Sequence, residues 1–64
     1  MATADELKVE IKRLSSQATA LKMDLHDLAE DLPLGWERIL EVAGKTHETY
    51  EKLAAAKSEL AQAG

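Results

Sequence analysis

The sequence predicts an all-α protein: an antiparallel two-helix hairpin of coiled-coil type that assembles into a four-helix bundle, as a dimer or higher oligomer. Three observations carry that expectation. Apolar residues recur in alternating steps of four and three along both halves of the chain. The only proline, Pro33, falls at the midpoint of the 64 residues, and Gly35 follows two positions later. A single helix kinked at Pro33 is the alternative, but a proline and a glycine so close together favour a turn.

The first helix is expected over about residues 4–31. Thr3 stands at an N-cap position and Glu6 three residues on, the spacing of a capping box, with Asp5 and Glu6 at the positive end of the helix dipole. Leu7, Ile11, Leu14, Ala18, Leu21, Leu25, Leu28 and Leu32 then keep the alternating step without a miss. Such a seam is narrower than the apolar stripe of an ordinary globular helix. About 28 residues at 1.5 Å each make an arm of roughly 42 Å.

The turn is expected at 32–35, where Pro33 pushes Leu32 out of the helical region and Gly35 loosens the backbone. Helix 2 is expected over about 36–62, on a seam of Trp36, Ile39, Ala43, Thr46, Tyr50, Leu53, Lys57 and Leu60. Leu40, Val42 and several alanines lie beside that seam, so its apolar face is the wider of the two. Folding about Pro33 sets Tyr50 opposite Ala18, Leu25 opposite Ala43 and Ile11 opposite Lys57, whose stem would lie on the seam with its ammonium in water. Gly44, within helix 2, costs about 1 kcal/mol relative to alanine, and a close helix crossing would account for it.

Composition bounds the rest. Sixty-four residues form one domain at most, and a core this small favours assembly with further copies. There is no cysteine, hence no disulfide or thiolate chemistry, which fits a reducing cytoplasm. The first residues carry no apolar run, so neither a secretion signal nor a membrane partner is expected.

The net charge of −4 resides within residues 24–38, where Asp24, Asp27, Glu30, Asp31 and Glu37 stand against Arg38 alone. Nucleic-acid backbones demand the opposite sign. Lys8, Lys12, Arg13 and Lys22 spread around their helix rather than forming a basic face, so nucleic acid is not an expected partner.

No catalytic constellation is present. Neither His26 nor His47 follows a carboxylate by three positions, which excludes the Glu-x-x-His pattern of di-iron bundles. Ser15, Ser16 and Thr46 have no activating base, and no glycine-rich phosphate cradle occurs. The expectation is a non-enzyme without cofactor or resident metal. His26 with Glu30 and His47 with Glu51 stand four apart and could hold a surface metal weakly; the alternative function is a small metal carrier that holds iron or a similar ion between copies through His26 or His47. Trp36 reads first as a plug of the core and second as an anchor for a partner. The partner-binding set expected from the corner is His26, Asp27, Glu30, Asp31, Trp36 and Glu37.

The stretch Leu25–Ile39, LHDLAEDLPLGWERI, resembles the signature of a small Rop-like family encoded with nitrogen-fixation genes. Val42-Ala43-Gly44-Lys45-Thr46 and Tyr50 extend the resemblance over most of the chain. It implies a self-associating helical hairpin in the cytoplasm, an accessory to nitrogenase maturation or cofactor supply, with nitrogenase-related proteins as partners. Leu40 departs from the pattern, standing where relatives often have proline. A C-terminal binding feature found in longer members is not expected in this chain.

Overall fold

The computed structural model describes residues 3–63. Helix α1 spans Ala4–Asp31, a single 3-10 turn spans Trp36–Arg38, and helix α2 spans Ile39–Ala63. The Thr3 hydroxyl accepts a hydrogen bond from the Glu6 backbone N–H at 3.1 Å and donates to the Glu6 carboxylate at 3.3 Å. One orphan donor of the first turn is thereby satisfied.

At the other end, Leu32 leaves the helix at φ −55°, ψ 141°, and the Leu32–Pro33 peptide is cis. The Leu34 N–H then donates to the Asp31 carbonyl at 3.0 Å, and Gly35 turns the chain back at φ +75°. The Arg38 N–H donates to the Gly35 carbonyl at 2.9 Å and begins the second arm. The two arms lie antiparallel in a rod of 46 × 15 × 13 Å.

The core is one thin line between the helices. Leu7, Leu14, Ala18 and Leu28 are buried on α1, and Val42, Leu53 and Ala56 on α2. Leu14, Ala18, Leu53 and Ala56 form one packed cluster, with Ile11 against it. Thr46 is half-buried, and its hydroxyl donates to the Val42 carbonyl at 2.8 Å, so it brings no unpaired group to the seam.

The seam of α2 differs from the expected one at every second position. Val42 and Ala56 are buried and Thr49 half-buried, whereas Tyr50 is 41% exposed and Lys57 is exposed. The working line is therefore Ile39, Val42, Thr46, Thr49, Leu53, Ala56 and Leu60. Each step of three or four along it matches a step along α1, with Thr49 in the register position opposite Ala18 and Ala56 opposite Ile11.

The physical reason is that both lines share Ile39, Thr46, Leu53 and Leu60, and alternate on opposite flanks of them. The flank with Val42, Thr49 and Ala56 puts small or β-branched side chains against Leu25, Ala18 and Ile11. The other flank would bring in a lysine. Within a single hairpin Trp36 fills no core, being 62% exposed. The close crossing expected at Gly44 is not made by α1 either, because a β-carbon built there meets nothing within 4 Å.

Candidate functional site

Helix periodicity alone collects the acid at the end of α1. Glu30, four positions after His26, shares its face of the helix, and the adjoining Asp27 also comes within reach of the imidazole. The imidazole Nδ1 stands 3.8 Å from the Asp27 carboxylate and Nε2 stands 3.6 Å from that of Glu30. One ligand atom from each of the three lies within 4.8 Å of the others, a set able to hold a metal ion, and all three are exposed. His47, by contrast, forms no ion pair among the described residues and joins no such set.

Asp31 occupies the last position of α1, and Glu37 and the exposed Trp36 lie on the 3-10 turn across the loop. These three reach the same end of the rod as the His26 set. Their side chains make no hydrogen bond or ion pair with it among the described residues. The six residues are thus one end of the molecule, but only His26, Asp27 and Glu30 are in mutual contact range.

The electrostatics of that end are unfavourable to the fold. The C-terminus of a helix carries partial negative charge and prefers cations. The last turn of α1 has no basic residue, and Asp27, Glu30 and Asp31 crowd it instead. Elsewhere, three ion pairs form along a single helix, Arg13 with Glu10 at 2.6 Å, and Lys45 with Glu41 and Lys52 with Glu48 at 3.2 Å each. Such pairs contribute only about 0.3–0.5 kcal/mol apiece. At the tip no lysine or arginine pairs with these acids among the described residues, and only His26 adjoins them.

Three comparisons place the chain among known proteins. A family model described as Rop-like matches residues 2–64. The chain belongs to the Rop-like family. Its Rop-like relatives include the UPF0437 protein of Azorhizobium caulinodans, 48% identical over 60 residues that cover 94% of this chain and 87% of that protein. A Frankia alni relative, named as a UPF0437 protein in the nifX-nifW intergenic region, is 57% identical over 44 residues. That match covers 69% of this chain and 54% of the Frankia protein, so the chain spans about half of that relative's length. Among solved structures, the NMR structure of the Northeast Structural Genomics Consortium target McR1 superposes with a TM-score of 0.86 at 58% identity, covering 97% of this chain and 87% of that one. The helical hairpin is thus the fold of this Rop-like chain. No helix of the described residues is long and apolar enough to cross a membrane.

Proposed function

We propose that this Rop-like chain is a non-enzymatic accessory protein of nitrogen fixation, self-associating through its helices and docking protein partners of the nitrogenase system through its acidic tip. The observation that carries the reading is the acid held at the negative end of α1. Packing asks for Leu25 and Leu28 there and is indifferent to the positions beside them. Three carboxylates against the dipole weaken the helix by a few tenths of a kcal/mol or more, and a basic partner surface would turn that cost into attraction. The position of the Frankia relative between nifX and nifW supplies the biological setting.

The test is capture of partners from cells grown under nitrogen-fixing conditions. Replacing Asp27, Glu30 and Asp31 together with Asn, Gln and Asn keeps the helix content and weakens capture, and added salt weakens wild-type capture. Equal capture by the triple variant refutes the docking role of the tip.

A second reading rests on the His26, Asp27 and Glu30 set, whose ligand atoms converge within 4.8 Å. The chain would then be a small metal carrier. Protein purified without a polyhistidine tag would contain a stoichiometric ion that His26→Ala removes; metal-free protein refutes it.

A further inference from the structure

The turn leaves its large apolar side chains in water. Among the described residues, Leu32, Leu34, Trp36 and Leu40 are all exposed within one short stretch of chain, whereas Val9, Met23 and Tyr50 stand singly along the arms. Leu40 is 86% exposed and Leu34 75%, more than any other of these side chains. Neither leucine serves the hairpin with its side chain. Leu34 contributes its backbone N–H to the Asp31 carbonyl, and the reversal is made by Pro33 and the positive φ of Gly35. Leu40 stands in the first turn of α2, two residues and hence about half a turn from the buried Val42. A polar residue at either position would fold as well. Apolar groups that cluster in the open, rimmed by charge, mark a contact surface.

The rim selects what makes the contact. Asp27, Glu30 and Asp31 close α1, Glu37 lies between Trp36 and Leu40, and Arg38 is the only lysine or arginine between His26 and Lys45. Lys45 itself is engaged by Glu41 at 3.2 Å. We infer that Leu34 and Leu40, with Trp36 between them, anchor a basic amphipathic helix of a partner protein, apolar along one face and flanked by lysine or arginine. This rests on the docking role proposed for the tip and states the chemistry of what docks there. A helix of that kind brings apolar side chains and cations together in one short segment, which matches a cluster only a few residues long. Removing the leucines from water holds the helix, and the acid steers its approach and fixes its register. Other occupants bring the wrong sign. A second copy meeting tip to tip presents the same acid, and lipid leaflets and nucleic acids are anionic.

The experiment uses the full chain and a fluorescent peptide of about 18 residues, with leucine on one helical face and lysine elsewhere. A companion peptide keeps the lysines and carries glutamine in place of leucine. Fluorescence anisotropy gives each dissociation constant at low and at high salt. The wild type binds the leucine peptide more tightly than the glutamine peptide by about tenfold or more. Leu34→Ser together with Leu40→Ser raises the dissociation constant for the leucine peptide by about tenfold or more, while helix content and unfolding midpoint stay those of the wild type. Val9→Ser, at an exposed valine toward the far end of α1, leaves binding unchanged. If the double variant binds as the wild type does, while neutralising Asp27, Glu30 and Asp31 weakens binding, the anchors are wrong and the acidic docking surface stands. If neither set of substitutions weakens binding, both are wrong. Two further results overturn the inference: wild-type binding to phosphatidylserine vesicles in preference to the peptide, and a double variant that loses self-association instead of peptide binding.

Discussion

Gly35 lies so close to Leu28 that a β-carbon on the glycine would sit 3.2 Å from Leu28 Cδ1, and the same glycine has φ +75°. The turn therefore refuses a side chain on two grounds, backbone conformation and the packing of the last buried leucine of α1. Gly35→Ala should destabilise by about 1–2 kcal/mol from the left-handed conformation alone, with the contact added. Gly35→Asn should lose less of the backbone term, because asparagine tolerates that region. Urea unfolding monitored by helix content compares the two.

Ala18 is 1% exposed within the cluster of Leu14, Leu53 and Ala56. Enlarging it leaves the neighbours nowhere to go. Ala18→Leu should destabilise by about 1–3 kcal/mol. Tyr50→Ala, by contrast, removes a ring outside the hairpin core and should affect association more than helix content. An unchanged unfolding midpoint for Ala18→Leu contradicts the packing described.

The cap on α1 rests on one hydroxyl. Thr3→Ala removes the 3.1 Å acceptor of the Glu6 N–H and should cost about 1 kcal/mol. Thr3→Ser should recover most of it. Thermal unfolding of the three proteins at equal concentration decides the point, equal concentration being essential where copies associate.

Trp36 is the single tryptophan and is 62% exposed in the hairpin. Its fluorescence should be that of a solvated indole in the free protein and should shift to the blue as a basic amphipathic helix covers the turn. A spectrum unchanged at saturating peptide would show that Trp36 takes no part in docking.

The hairpin could be read from residues because, Gly44 apart, its caps and breakers fall at the ends of the helical seams. Thr3 with Glu6, the leucine line of α1, and Pro33 with Gly35 all point to the same fold. The phase of α2 could not be read that way. Ile39, Thr46, Leu53 and Leu60 belong equally to two lines, and the larger apolar residues, Trp36 and Tyr50, stand on the line that faces away from α1. Lys57 on that line was the residue that disagreed. The juxtaposition of His26, Asp27 and Glu30 follows from helical spacing alone. How Trp36 and Glu37 stand across the loop depends on a 3-10 turn that no periodicity announces.

A turn at the midpoint makes the separation of facing residues grow steadily with distance from Pro33. Leu28 and Ile39 are about 11 residues apart in the chain, Leu7 and Leu60 about 53. Closing the longer loop costs about 1.4 kcal/mol more in chain entropy than closing the shorter one. The hairpin is therefore expected to zip from the turn outward, with the cluster of Leu14, Ala18, Leu53 and Ala56 closing the middle of the rod and Leu7 its open end. Changes near Gly35 should slow folding, whereas changes in that central cluster should mainly speed unfolding. The lifetime of the folded rod is thus set in its middle, away from its acidic tip.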